Sequence, residues 1–466
     1  MTTVRILGVG TAAPGLRVPV AAINSAWDRR SGRGQVGVCG ADEDPLTLAW
    51  DAATAAVRAA GLDPSEVAGL WWGTSTPPFA DGPSHAVLAN AIGTGPLGTL
   101  TSGSTHAGVD ALLAASDAVA AGRVEVALVV ASDALRPGPG TGFETRAGAG
   151  AAAFVLAASN GHGGIGSAWT RSKPLLDRYR GSGELDQRDL YDGRLFREEI
   201  FLPLVGAVVD DARTPGPSSW SVPDPDGRLG AAIARRTDAG EPASQAVYSA
   251  IGDTGAAAAL FGAIGAFAHS GRVVAVGYGG GRATAIEFAI DAAVPGASDF
   301  AATLANGREV SYHKGLRVRG QMVPGGETIP MGVPPESALF ARGAEEMLQL
   351  LGARCDDCGT INTPPSVHPH CIACGGPKLE AVQLARSGTV HTFVVNYTMP
   401  APFEAPLPIA VVDLDDGARV MLQVDGDGEQ LEIGRRVDLV LRKYAHERGV
   451  PVYGYKARPR RAPVGA

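Results

Sequence analysis

The chain has 466 residues, 45% of them hydrophobic and 19% charged, with a net charge of −8. That length implies two or three domains, and the apolar content excludes wholesale disorder. The acidic balance argues against a nucleic-acid partner, and no apolar run approaches the ~20 residues of a membrane helix. The N-terminal MTTVRILGVGTAAPG lacks the basic-then-apolar pattern of a secretory leader.

In chain order, the apolar patterning predicts a strand at Val4–Val9, a helix at Asp44–Ala60 and a strand at Gly69–Gly73. A helix at Thr105–Ala121 and strands at Val124–Ala131 and Ala152–Ala157 follow, then a helix at Thr254–His269 and a strand at Val273–Gly277. This alternation predicts α/β layering. Two of the helix–strand units match without gaps: THAGVDALLAASDAVAAGRVEVALVV from Thr105 and TGAAAALFGAIGAFAHSGRVVAVGYG from Thr254. The shared GRV turn at one spacing points to a duplicated half with a pseudo-twofold axis. The two helix starts, Ser104–Thr105 and Asp253–Thr254, are then expected to face one another across one site. Free backbone N–H groups there would suit an acyl oxyanion.

Composition changes near residue 300. Pro324 to Pro335 reads as a Pro/Gly linker and Glu336–Leu351 as an amphipathic helix. Beyond the cysteines, short runs at Thr389–Tyr397, Ile409–Leu414, Arg419–Val424 and Val437–Tyr444 predict a small β-barrel or sandwich. Arg458–Arg461 is read as a solvated tail. The expected division is 1–305 layered α/β, 306–345 linker and helix, 346–382 metal ribbon, and 383–466 β-barrel.

Of five cysteines, Cys355, Cys358, Cys371 and Cys374 form C-x2-C-x12-C-x2-C, each pair followed by glycine. Four thiolates at this spacing predict a closed structural Zn site. They also suit a reducing cytoplasm. Cys39 stands alone and is read as a small buried hydrophobe.

Residues 1 to ~300 resemble the thiolase superfamily, in its HMG-CoA synthase and type III ketoacyl synthase group. The motifs are GVGTAAP, DEDPLTLAWDAATAAVRAAGL, WWGTST, THAGVDAL, GAGAAAFVLA, IGDTGAAAAL and VGYGGG. The remainder resembles the zinc-ribbon and OB-fold domain that accompanies such proteins, through GARCDDCG, PHCIACGG, IAVVDLDDGAR, IGRRVDLVLRKY and YGYKARP. The resemblance implies a duplicated, thiolase-like α/β/α/β/α fold plus a small zinc ribbon and an OB-fold barrel. It implies an acyl-CoA or acyl-carrier thioester as substrate or ligand. It also implies a homodimer through the thiolase-like domain, with a further thiolase-like subunit as a possible partner.

The family's site maps onto this chain with consistent departures. The nucleophilic cysteine falls on Thr105, the histidine on Pro223, the thioester-binding asparagine on Asp253 and the synthase glutamate near Ser75. A threonine hydroxyl lacks a thiolate's nucleophilicity and needs an adjacent base. His106 follows Thr105, but consecutive helical residues diverge by ~100°. The chemistry expected is therefore C–C bond making or breaking, or acyl transfer, by a route without the usual Cys-His-Asn set. Asp253 is the leading candidate base and equally a helix cap. Thr105 and His106 share the catalytic centre. Ser104, Thr254, Gly279, Gly280 and Arg317 are expected at the thioester and CoA. His85, His313, Tyr191 and Asp224 are further candidates for the base. The alternative expectation is a non-catalytic CoA-binding or scaffold subunit, and a weaker one an OB-fold nucleic-acid binder.

Overall fold

The strand Val126–Ala134 is apolar along most of its length because layers cover both its faces, as an interior strand of a doubly covered sheet requires. It lies in a nine-stranded array, in the computed structural model, which describes residues 3–189, 193–237, 242–322, 337–398, 405–447 and 450–460. The order across the array is Ser218–Ser221, Gly271–Gly279, Arg282–Ile290, Gly163–Ser172, Arg5–Ala12, Ala149–Ala157, Val126–Ala134, Gly69–Gly73 and Leu97–Thr101. A single register pair, Arg5↔Gly164, joins Arg5–Ala12 to Gly163–Ser172. The array is thus two sheets meeting at a seam.

The two sheets repeat one connectivity. In the first, Gly69–Gly73 runs parallel to Val126–Ala134, which is antiparallel to Ala149–Ala157, itself antiparallel to Arg5–Ala12. In the second, Ser218–Ser221, Gly271–Gly279, Arg282–Ile290 and Gly163–Ser172 stand in the same relations. The expected duplication is present, with Leu97–Thr101 as an extra edge strand on the first sheet. Helices Ala107–Ala120 and Ala258–Ala266 form the middle layer; Pro45–Ala59 covers the first sheet and Leu202–Ala212 the second. The fold is the layered α/β/α/β/α arrangement. Its main core gathers Val129, Phe154, Phe261, Phe267 and Phe288 between the sheets.

Local chemistry explains the element starts. Pro45–Ala59 opens on a reciprocal capping box between Asp44 and Thr47, with Pro45 in the first turn. The predicted helix at Thr254–His269 instead begins as a 3₁₀ turn, Gly255–Ala257, and becomes α-helical only over Ala258–Ala266. The middle helices approach closely at Gly108, where a Cβ would stand 2.1 Å from the Ala256 carbonyl oxygen. Glycine is required there by contact rather than by conformation.

The first compact unit runs to Val323 and the second from Pro324. Residues 306–322, placed above in the connecting region, pack into the first: Tyr312 and Leu316 of helix Tyr312–Val318 join Val18, Ile23 and Val36 in one cluster. The predicted linker Pro324–Pro335 lies outside the described residues.

In the second unit, helix Ser337–Gln349 precedes a three-stranded ribbon in which Leu351–Cys355 pairs with Ile361–Asn362 and Leu379–Gln383. Five strands follow, ordered Arg419–Gln423, Leu407–Leu414, Ser387–Asn396, Arg436–Glu447 and Val450–Pro459. A Val424↔Ala457 bridge brings the two outer strands together, so the sheet is nearly closed into an OB-like barrel. Arg458 and Arg460 are not a solvated tail: they pair with Asp425 and Asp438, and Arg458 lies within the last strand. Arg461 is outside the described residues. Among the described residues, no helix is long and apolar enough to cross a membrane.

Candidate functional site

The start of the first middle helix meets the end of strand Gly271–Gly279. Thr105 packs against Gly279, where a Cβ would lie 2.4 Å from the threonine Oγ1, and Ser104 packs against Gly280. Four expected site residues, Ser104, Thr105, Gly279 and Gly280, are therefore one cluster. The Thr105 hydroxyl donates to the Tyr278 carbonyl oxygen at 2.8 Å.

His106 is fully buried. Its Nε2 is 2.9 Å from the Thr284 hydroxyl, and its Nδ1 lies 3.0 Å from the Asp110 carboxylate, an electrostatic contact without directed hydrogen-bond geometry. Asp110 also pairs with Arg282. His106 is a buried strut between the middle helix and the second sheet.

Asp253 is nearly buried, and both its carboxylate oxygens are engaged. Oδ1 accepts from the Gly255 N–H at 2.9 Å, and Oδ2 pairs with the Arg178 guanidinium at 2.8 Å. Arg178 also pairs with Asp189 at 3.1 Å and lies over the Phe143 ring, 3.8 Å from its centroid. Burial opposes the charge on Arg178, but the two facing carboxylates outweigh it and raise its pKa above the usual guanidinium value.

The expected free N–H groups are largely taken. Gly255 N–H serves Asp253, Ala256 N–H serves Asp133, and His106 and Ala107 N–H bond Ser104. Asp133 was not foreseen, and it organises the centre. It accepts from Thr74 Oγ1, from the N–H and hydroxyl of both Ser75 and Thr76, and from Ala256 N–H, at 2.7–3.0 Å. Burial pushes its carboxyl upward, and these donors oppose that shift. A signal existed: SD interrupts the otherwise apolar strand VALVVASDA.

Other candidates lie apart. Thr254 is buried, its hydroxyl without a partner among the described residues. Asp224 is buried on the loop before helix Leu229–Thr237, where Oδ1 accepts from Leu229 N–H while Oδ2 has no hydrogen-bond partner among the described residues; burial, aided by Asp226, raises its pKa to about 6. Tyr248 is close enough to sense the charges of Asp224, Arg146 and Asp253. His85 bonds the Leu70 carbonyl oxygen, and His313 is exposed. Arg317 is exposed and is not brought to Thr105; its neighbour Arg319 instead lines a cleft with Cys39, Glu43 and Arg136. Cys39 is thus a cleft-lining residue rather than the buried hydrophobe expected. Tyr191 lies outside the described residues.

In the second unit, the four cysteine sulfurs lie within 4.8 Å of one another, with Cys355–Cys374 at 3.6 Å and Cys358–Cys371 at 3.5 Å. A tetrahedron of Zn–S bonds near 2.3 Å needs sulfur separations of roughly 3.8 Å, so the set fits one Zn²⁺ ion. Buried Asn362 ties the second knuckle to the first strand, accepting from Ile372 N–H and donating to the Ala353 carbonyl oxygen. His368 and His370 are not in the cluster.

Comparison with known proteins agrees with both units. Residues 348–380 match the rubredoxin-like zinc ribbon domain of ChsH2, and residues 381–442 its C-terminal OB-fold domain. The hydroxymethylglutaryl-CoA synthase of Pyrococcus furiosus is 35% identical over 161 residues, 34% of this chain and 45% of that protein. The chain thus spans about half the length of the curated synthases it matches. A solved structure, MvaS in complex with 3-hydroxy-3-methylglutaryl coenzyme A, superposes with a TM-score of 0.60 at 20% identity, over 72% of this chain and 95% of that one. The fold of the first unit is thiolase-like, as in HMG-CoA synthases, and the second unit is a zinc ribbon followed by an OB-fold domain. A DUF35 domain-containing scaffold protein of Methanocaldococcus jannaschii is 36% identical over 124 residues, 25% of this chain and 86% of that protein. The chain belongs to this DUF35-domain family.

Proposed function

We propose that the protein handles acyl-CoA or acyl-carrier thioesters and makes or breaks a C–C bond, or transfers an acyl group, without an acyl-enzyme at residue 105. The observation carrying this is the Thr105 hydroxyl: its proton is spent on the Tyr278 carbonyl oxygen rather than on a base. A hydroxyl so held is not an activated nucleophile. Asp253 is the base in this reading, once Arg178 releases it, and Thr105 marks where the thioester rests. The test follows free CoA release and C–C products from a panel of acyl-CoAs. Turnover should survive Thr105→Ala and fall at least about 100-fold in Asp253→Asn, the contribution of one general base. Loss in Thr105→Ala with retention in Asp253→Asn would reverse the assignment.

A second reading, a CoA-binding scaffold for a thiolase-like partner, is favoured by the relationship to DUF35 scaffold proteins and by the occupied N–H groups of the centre. Turnover arising only when a partner is added would support it. A homodimer through Leu97–Thr101 fits that strand's position at the edge of the sheet and its exposed Leu97. Reduced knuckle thiolates suit the cytoplasm.

A further inference from the structure

We propose that Arg178 determines which acyl chains the thiolase-like centre accepts. It holds Asp253 in a closed ion pair until the acyl chain of a bound thioester supplies a carboxylate of its own, which takes the guanidinium and frees Asp253. The substrate class is then a thioester with an anionic acyl chain. This rests on the reading that thioesters bind at this centre.

Arg178 is delivered by a two-stranded ribbon in which Arg178–Tyr179 pairs with Arg188–Asp189, placing Arg178 directly across from Asp189. The ribbon is anchored elsewhere, on Arg136. Gln187 exchanges hydrogen bonds with the Arg136 backbone at 2.8 and 3.1 Å, and Asp186 accepts from Arg136 Nε at 2.7 Å and from Gln321 at 3.1 Å. The contacts of Arg178 with Asp253, Asp189 and Phe143 are all made by side chains. One carboxylate can therefore replace another without breaking the ribbon's backbone pairing. Asp253 immediately precedes the Gly255–Ala257 turn, which abuts Gly108 two residues after His106 on the middle helix. Asp177, next to Arg178 in the chain, accepts from the Tyr278 hydroxyl, and the Tyr278 carbonyl oxygen accepts from Thr105, which links the ion pair to the Thr105 cluster.

The physical basis of selection is the cost of an unpaired charge. A planar guanidinium holds one carboxylate on Nε and another on a terminal nitrogen, so it can keep Asp189 while exchanging Asp253. A carboxylated acyl chain restores the second partner. A neutral chain inserted at the same place separates Asp253 from Arg178 and leaves both charges poorly compensated, a repulsive element against the wrong substrate. When the exchange occurs, Asp253 keeps the Gly255 N–H on Oδ1 and has Oδ2 open toward the ligand.

Titration calorimetry on the full chain with succinyl-CoA, butyryl-CoA and free CoA tests this. Succinyl-CoA should bind at least about tenfold more tightly than butyryl-CoA, the scale of one desolvated charge pair. Arg178→Gln should abolish that ratio while leaving affinity for free CoA unchanged, which also shows that the variant is folded. Asp253→Asn, which removes the competing carboxylate, should tighten succinyl-CoA by about tenfold. Equal binding of the two thioesters to wild type overturns the proposal, as does a parallel loss of both in Arg178→Gln, the signature of a merely structural clamp. If neither thioester nor CoA binds, the underlying reading fails with it; if all bind without discrimination, only the selection by Arg178 fails.

Discussion

A carboxylate offers about four good acceptor directions, and Asp133 takes six donors from residues 74–76 and 256. So saturated a group is a fastener rather than a base, and it joins the two halves of the duplicated fold. Asp133→Leu strands these donors and should destabilise the first unit by at least about 3 kcal/mol, as removal of one member of a buried charged network does. Urea unfolding followed by tryptophan fluorescence measures it; a loss below about 1 kcal/mol would show that the donors find other partners. Asp133 and Arg178 share a reason for escaping notice in the sequence. The donors to Asp133 lie 57 to 123 positions away and Asp253 lies 75 from Arg178, and long-range polar contacts leave no periodic trace. Thr105 was legible because the flanking AGVDAL fixes its register. That its hydroxyl is tied to Tyr278 was not, since nothing local to either residue encodes the contact.

At the scale of single elements, helix Leu229–Thr237 begins over two carboxylates: Leu229 N–H is shared by Asp224 and Asp226. Burial, then the charge of Asp226, lifts Asp224 from 3.8 to about 6. A carboxyl raised on folding binds its proton more tightly in the folded state. Its stabilising contribution is therefore full below about 3.8 and is lost as pH rises through 6, a difference of roughly 3 kcal/mol at most. Asp224→Asn should accordingly be more stable than wild type at pH 7.5, with the gap closing toward pH 4.5. Thermal melts at the two pH values decide it, and a pH-independent difference would contradict the assignment. Element type was legible at Asp44–Ala60 and Thr105–Ala121, where the apolar period is strong, whereas helix Leu229–Thr237 was not read from the sequence. The 3₁₀ start at Gly255–Ala257 was not, because it is shaped by the Asp253 and Asp133 carboxylates rather than by helix propensity.

Over the whole molecule, the two units rest on different physics. The first has a continuous apolar core between two sheets, whereas the ribbon of the second has little core and depends on its metal. Chelating zinc from the full chain should raise amide exchange across 351–383 while leaving 126–157 protected, as followed by mass spectrometry. Simultaneous loss of protection in both segments would show one cooperative system. The edge strand offers a second test: if the proposed homodimer forms through it, Leu97→Lys should yield a monomer in sedimentation velocity, and an unchanged oligomer would place the interface elsewhere. The duplicated connectivity was readable from the two GRV turns, and the metal site from four letters at fixed spacing.

The seam between the two sheets has a consequence of its own. Along this edge the halves are joined by one register pair, a few backbone hydrogen bonds such as His162 N–H to the Ile6 carbonyl oxygen and Val9 N–H to that of Pro295, the Arg5–Asp291 ion pair, and the short link from Ala158 to His162, where Asn160 adopts a left-handed conformation with φ of 58°. Most of the adhesion between halves lies instead in the buried middle layer, where Gly108 meets Ala256. Chain continuity at the link is therefore nearly incidental to the architecture. A backbone cut after Asn160 should yield two polypeptides that reassemble when mixed, making the first unit a natural split protein whose reconstitution reports on the closeness of its central helices.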